Sequence, residues 1–598
     1  MIINMLTKLI RCFLDTPAGH IIREVKQALL TSAKLKKILI QCTLVTADVL
    51  DGIGISHHLE EPLSRQWLKI IQRSRGDFPP LEGTPTRVLI ASSYGFSPYM
   101  LACETVFAMA LRLRGIQPYF LVCNQTLPAC EWNPWGNNDP DPGEYPQPSD
   151  GPLQVLNCAN CSSALFTLLR ILQIPLVKFS DLLQSGEKEK LFAIVESIAY
   201  EDFYSTTYKG ISIGAQAYAS TIRYLRRANL DETDPYTYWL YKRYLLGALI
   251  VAELGERVLT QVQPDLVLMV HGVYITHGTL CELTAQKGIE SVVWGASYRR
   301  SSVWLSHRES LPFALAHEPN SEWELPPYGV EQIREVTTYL ESRAYGKKDQ
   351  ISYNTQPIDN REKMIELLNL DTKHPIISLF TNVVWDSVLF YKSRIFSDQL
   401  DWLFQTVEYF IQNPDAQLVI RIHPSEARGN GTKQPMSIEI HRCFPELPSN
   451  IKIIPSESYL SSYTLAEISD AALVFGSTMG LEIASKGTPV IVAADFYTRG
   501  KGFSYDPDTL EDYFGFLDRS IQGQLEHNSF KMIERARKFA YHVFFRKTMD
   551  LPQVYVNDPG ASSGLRLKFR SLSDLEPGRN AGLDAICDDI LSKRKVLL

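Results

Sequence analysis

A chain of 598 residues is too long for one hydrophobic core, and its 45% hydrophobic and 21% charged content is that of folded domains, not of a disordered chain. A net charge of −7 provides no general field to draw nucleic acid or an anionic membrane. The longest uncharged stretches, Val88–Cys103 and Leu266–Cys281, are interrupted by Gly, Ser, Pro or His and fall short of the roughly 20 apolar residues of a spanning helix.

Residues 1–80 read as a helical extension with no clear strand. Its start carries Lys8 and Arg11 inside an apolar stretch and lacks the long hydrophobic core and cleavage site of a signal peptide, which implies a cytoplasmic chain. That amphipathic segment either packs on its own domain or rests peripherally against the inner face of a membrane. Ten cysteines in a chain of this length do not make a disulfide scaffold and fit a reducing compartment. The Pro/Gly-rich run Asp77–Pro85 ends the extension.

From Arg87 the pattern changes. Arg87–Ala91 is a short apolar strand, Tyr99–Arg114 has helical spacing up to Gly115, and Pro118–Cys123 is the next strand, which together make a β-α-β unit and imply a parallel sheet. After a mostly helical stretch from Leu165 to Arg257, Pro264–Val270 and Ser291–Trp294 repeat the grammar. A polar stretch, Tyr345–Arg361, separates a second series of five strands: Pro375–Phe380, Ala416–Ile422, Ile451–Ile454, Ala471–Phe475 and Pro489–Ala493. The expected fold is α/β, with two Rossmann-like domains facing a cleft: an N-terminal domain over 81–345, a C-terminal domain over 361–545, and a tail over 546–598 that crosses back to the first domain.

Ligands of open α/β sheets sit beyond the carboxyl ends of strands. There, Gly476-Ser-Thr-Met-Gly-Leu-Glu482 joins a strand to a helix start, with backbone N–H groups and the Ser477 and Thr478 hydroxyls forming an anion site. Gly480 permits close approach of a ligand or strand, and Glu482 is placed to accept ribose hydroxyls. In Arg421-Ile-His-Pro424, Pro424 keeps His423 out of helical geometry and directs its imidazole into the cleft as a phosphate donor. Asp386, beyond the Pro375–Phe380 strand, reads either as a substrate contact or as a helix N-cap. In the first domain His271 and His277 occupy a turn with two His-Gly pairs and are the candidate general bases. Arg499, in Tyr497-Thr-Arg-Gly-Lys-Gly-Phe503, reads as part of a mobile basic loop closing on phosphate.

Cys123 and Cys130 precede a Pro-rich loop, and Cys158-Ala-Asn-Cys161 follows it. Two such pairs can complete a structural four-thiolate zinc site; free buried thiols, or a redox pair or iron–sulfur cluster, are the other readings.

The series Phe380-Thr-Asn…Trp-Asp386, Arg421-x-His-Pro424, Gly476-Ser-Thr-x-Gly-x-Glu482 and Gly487-x-Pro489-Val resembles bacterial capsule polysaccharide biosynthesis proteins, GT-B-like transferases related in pattern to Kdo transferases and CDP-glycerol glycerophosphotransferases. The resemblance covers 375–510 best and 85–310 more loosely. It implies that His423, Ser477 and Thr478 contact a nucleotide. The implied activity is an inverting, metal-independent glycosyl transfer from a CMP- or UDP-linked sugar to a surface polysaccharide or lipid-linked saccharide. A nucleotide-sugar epimerase of similar build and a non-catalytic scaffold of polysaccharide assembly are the alternatives.

Overall fold

The computed structural model describes residues 63–74, 85–95, 97–130, 145, 151–153, 155–231, 233–352, 356–386, 389, 392–427, 431–525, 529–556 and 564–592. The amphipathic N-terminal segment read from the sequence lies outside these, as does most of the Pro-rich loop before Cys158. Among the described residues no helix is long and apolar enough to cross a membrane.

Two sheets organise the molecule. The first contains β1 (Arg87–Ser93), β2 (Gln117–Val122), β3 (Leu176–Lys178), β4 (Leu266–Val270), β5 (Glu290–Ala296) and β6 (Ser302–His307). The second contains β7 (Ile376–Phe380), β8 (Gln417–Arg421), β9 (Ile451–Ile454), β10 (Ala471–Val474) and β11 (Val490–Val492). β4, β7, β8, β10 and β11 are buried along their whole length, as the apolar runs that build them require when helices cover both faces. The second sheet is parallel throughout, in the order β9-β8-β7-β10-β11. The first has the order β3-β2-β1-β4-β5-β6, with β6 running antiparallel to β5. Each order reverses direction beside the first strand of its sheet, so each has a switch-point crevice, between the ends of β1 and β4 and between those of β7 and β10. This is the expected GT-B-like pair of Rossmann-like lobes.

The lobes do not divide where the polar stretch Tyr345–Arg361 placed the boundary. From Leu311 onward the chain already packs with the second lobe: Trp323, Val336 and Tyr339 share a core with β7, β10 and β11. The stretch read as a linker is itself fastened down, with Asp349 buried and Ile358 bridged to Leu460. At the far end, a π-helical turn over His542–Arg546 leads into β12 (Met549–Asp550), which pairs with β6 of the first sheet. The helix Ala581–Leu591 then buries Leu583, Ile586 and Ile590 in the first-lobe core.

One carboxyl group sits inside that core. Glu104 is 1% exposed and accepts hydrogen bonds from Ser92 Oγ and Trp294 Nε1, yet burial outweighs them and pushes its pKa from 4.5 to about 7. A folded-state value above the unfolded one means that its contribution to stability is full below about pH 4.5 and lost as pH rises through about 7. Glu104→Gln is expected to flatten this part of the profile, by on the order of 3 kcal/mol across the window. Denaturation midpoints measured from pH 4 to 8 check it, and a profile identical to that of the parent protein would refute it.

Candidate active site

The switch point of the second sheet is closed by a side chain. Asn382, just beyond β7, donates from Nδ2 to the Gly476 carbonyl just beyond β10, clamping the two strand ends together. Above them lies a pocket of about 170 Å³ whose wall includes Thr381, Arg421, His423, Ser477, Thr478 and Glu482. The structure therefore brings together the Arg-x-His-Pro and Gly-Ser-Thr segments, which are some fifty residues apart in the chain.

His423 is held in one orientation. Its backbone N–H donates to Thr381 Oγ1 at 3.0 Å, and its ring Nδ1 accepts the Ser425 N–H at 3.1 Å. A neutral imidazole whose Nδ1 accepts must carry its proton on Nε2, so Nε2 is a donor. Pro424 supports this turn by opening a short 3-10 segment, Pro424–Ala427.

Arg421, at the end of β8, is 3% exposed, and its guanidinium bonds neutral oxygens: Ser462 Oγ at 3.3 Å, the Pro455 carbonyl at 2.5 Å and the Ser458 carbonyl at 3.2 Å. Burial lowers its pKa to about 10, with the Glu457 charge opposing, so the group stays protonated at neutral pH. A buried cation satisfied by neutral oxygens leaves a positive potential on the pocket wall.

The same pocket is also lined by carboxylates with a cation of their own. Glu482, 2% exposed, meets Arg343 Nε at 2.9 Å and accepts from the Tyr463 hydroxyl. Arg343 Nη1 also donates to Asp349 Oδ1 at 3.0 Å, which Tyr339 holds at 2.7 Å. Two carboxylates thus share one guanidinium, and burial raises the Asp349 pKa from its ordinary value. The pocket wall thus carries Arg421 and His423 as donors together with two carboxylates held by Arg343.

Several expectations need correction. The helix after Gly476 is seven residues long, Thr478–Ala484, and the Ser477 side chain accepts the Met479 N–H at 3.2 Å as its N-cap. The anion-binding character therefore rests more on Arg421 and His423 than on the helix start. Of the two readings of Gly480, close approach of a strand is the one seen: a Cβ there would lie 3.0 Å from Val474 Cγ2 and 3.4 Å from Val490 Cγ1. Arg499 is not part of a mobile loop. It is held by the Pro507 carbonyl at 2.5 Å and Asp508 at 2.8 Å, and its neighbour Lys501 is 3% exposed and donates to the Glu318 carbonyl. It does not line the pocket.

The first-lobe histidines also change role. His277 lies inside the helix Tyr274–Gln286, fully buried, with Nε2 on the Ser92 carbonyl at 3.1 Å and its ring 5.2 Å from that of Tyr94. Burial takes its pKa down to about 3, so it is a neutral core group and not a general base. His271 does end β4 at the first switch point, in the left-handed region with φ 61°. Its pKa is also about 3, through burial and then the Arg223 charge. Arg223 reaches across to the second lobe, bonding Asp386 Oδ1 at 2.6 Å and the Tyr274 hydroxyl at 3.1 Å. Asp386 is thus an interlobe ion-pair partner, with a side chain 52% exposed.

The cysteine expectation is not met. Among the described residues no group of three or more His, Cys, Asp and Glu side chains is arranged to hold a metal. Cys161 Sγ accepts the Gly95 N–H at 3.0 Å, and burial, followed by the nearby Cys123 and Cys161, pushes the Cys158 thiol well above its ordinary pKa.

No family model and no curated protein matches this chain. Solved structures similar to it include the beta Kdo 2,4 transferase KpsC of Thermosulfurimonas dismutans, at 14% identity and TM-score 0.32, covering 52% of this chain and 87% of that one. A glycosyltransferase of Rickettsia africae is similar at 11% identity and TM-score 0.27, covering 86% and 100%. A UDP-GlcNAc 2-epimerase of Neisseria meningitidis is similar at 12% and 0.25, covering 77% and 100%. TM-scores this low leave none of the three a guide to this chain's chemistry.

Gly480→Val pushes a branched side chain into the β10–β11 contact. It is expected to cost about 1–3 kcal/mol of stability, read by denaturant unfolding, whereas unchanged stability would show that the glycine is not needed for packing.

Proposed function

We propose that the protein is a glycosyltransferase whose second lobe holds a nucleotide-activated sugar, with the nucleotide's phosphate on Arg421 and His423 and its ribose or base turned toward Glu482 and Asp349. The observation that carries this reading is the meeting of Arg421 and His423 with Glu482 and Asp349 on the wall of the pocket at the second switch point. A nucleotide is an anion joined to a group rich in hydroxyl and amine donors, and this wall offers donors for the first and carboxylate acceptors, held by Arg343, for the second. The Ser477 and Thr478 hydroxyls line the same pocket.

In the reaction so inferred, an acceptor hydroxyl oxygen bonds to the anomeric carbon as that carbon's bond to the phosphate oxygen breaks. Negative charge gathers on the departing phosphate, where the Arg421 guanidinium and the His423 Nε2–H are preset to receive it, so the leaving group needs no metal for charge stabilisation. The acceptor proton passes to a base. We assign that role to Asp386, whose side chain is half-exposed beside Arg223, His277 being enclosed in the core. The resemblance to capsule polysaccharide proteins supports a surface polysaccharide or its lipid-linked precursor as the acceptor.

Thermal stabilisation by CMP, CDP, UDP and GDP tests the donor site. At one hundred times its dissociation constant the matching nucleotide is expected to add about 2.7 kcal/mol, and His423→Ala or Arg421→Gln to remove most of that shift. Failure of every nucleotide to stabilise the parent protein, or an undiminished shift in both variants, overturns the assignment. Asp386→Asn is expected to lower turnover by about 10²–10⁴-fold while nucleotide binding is unchanged, as single-turnover kinetics with donor and acceptor would record; undiminished turnover excludes it as the base. The epimerase alternative predicts conversion of the donor with no acceptor present, so a donor-only incubation separates the two.

A further inference from the structure

Early and late parts of the described chain meet on the first lobe. The helix Leu63–Arg73 lies beside a two-stranded hairpin of β13 (Val554–Tyr555) and β14 (Arg566–Leu567). Gln66 ties helix to hairpin, its Nε2 donating to the Leu565 carbonyl at 3.1 Å and its Oε1 accepting the Leu567 N–H at 2.8 Å. Just past the helix, Ser74 Oγ accepts the Leu572 N–H at 2.8 Å. Trp67 and Ile70 of the helix and Leu567 and Phe569 of the hairpin all turn into the first-lobe core, where the Trp67 and Phe569 rings lie 5.3 Å apart.

What the two elements turn outward is cationic. Arg65, Lys69 and Arg73 recur at every fourth residue, one stripe of a helix, while Arg566, Lys568 and Arg570 recur at every second, one face of an extended chain. All six are exposed, and neither Leu63–Arg73 nor Arg566–Arg570 contains a carboxylate. Asp574 approaches the second row, but its Oδ2 is taken up in a turn by the Arg570 and Ser571 N–H groups at 2.7 and 3.1 Å. Four helical or two extended residues span about 6–7 Å, which is shorter than the screening length of about 8 Å at physiological salt, so neighbouring charges act together. In a chain of net charge −7 this concentration is local. Leu68, beside Lys69, stays 43% exposed among these cations.

We propose that this face docks on a bilayer that carries acidic phospholipids. Its Lys and Arg side chains meet the headgroup phosphates, and Leu68 enters the layer between them. A soluble polyanion such as a nucleic acid would satisfy the charges but offers nothing to an exposed leucine. The inference is independent of the nucleotide reading of the second lobe, because it uses none of the residues of that pocket.

Co-sedimentation of the full chain with phosphatidylcholine vesicles, with and without about one-third phosphatidylglycerol, tests this at low and high salt. One variant combines Arg566→Gln, Lys568→Gln and Arg570→Gln; a second combines Arg65→Gln, Lys69→Gln and Arg73→Gln; a third is Leu68→Ser. The parent chain is expected to sediment with the phosphatidylglycerol vesicles alone and to be released by salt. Each cation removed weakens binding about fivefold, so each triple variant loses roughly a hundredfold, whereas Leu68→Ser weakens it without altering the salt dependence. The second triple variant keeps the test decisive if the first fails to fold through loss of the Lys568 contact with the Tyr555 ring. The proposal is overturned if the parent does not sediment, if it sediments equally with uncharged vesicles, or if both triple variants bind as the parent does, which would place the contact elsewhere in the chain. Displacement from the vesicles by heparin or duplex DNA, with Leu68→Ser without effect, would overturn it in favour of a soluble polyanion.

Discussion

A buried guanidinium must keep its donors satisfied, and in the second lobe that requirement shapes the ground around the site. Arg421 ends β8 and draws the Pro455 and Ser458 carbonyls and the Ser462 hydroxyl around it, so the exit of β9 is folded to suit the exit of β8. Its neighbour but one, His423, is turned by Pro424 and fixed by Thr381 and Ser425. Because the partners of Arg421 are neutral, its charge is not consumed within the fold. The same side chain thus orders two loops and leaves its positive charge to the pocket.

The carboxylates of that pocket and their cation come from elements distant in the chain. Arg343 closes the helix Val330–Arg343, Asp349 comes from the stretch after it, and Glu482 from the helix beyond β10. Arg343 also sits 5.0 Å over the Phe544 ring, from the turn that leads back to the first lobe. One cation therefore joins the pocket wall to the passage of chain that returns to the first lobe. Arg223 does similar work across the cleft through Asp386 and the Trp385 ring, which lies 5.7 Å from it.

What the residues disclosed, and what they hid, follows from the range of the forces involved. The five strands of the second lobe were legible because each is a short apolar run bounded by turns, and the chain order placed His423 and Ser477 at the same sheet edge. β3 and β6 were not read. The first is three residues long, and the second pairs antiparallel where the preceding grammar was parallel. His277 was misread because a His-Gly pair signals a turn locally, whereas Tyr274–Gln286 is held helical by packing against neighbouring helices. Arg421 stood in plain view in Arg-x-His-Pro, but an arginine's value depends on whether a carboxylate neutralises it, which is a tertiary fact. For Arg499 the same uncertainty resolved the other way: Asp495 and Asp508 take up its charge. Nothing near Arg343 in the sequence pointed to Glu482, more than a hundred residues later.

The chain leaves the first lobe before Leu311 and returns at β12, so two connections bridge the lobes where a simple tandem pair would have one. A single tether permits any swing and twist; a second one, anchored by a sheet pairing and by Leu583, Ile586 and Ile590 in the opposite core, removes most of those freedoms. Any opening of the cleft where Arg223 meets Asp386 has to break that pair.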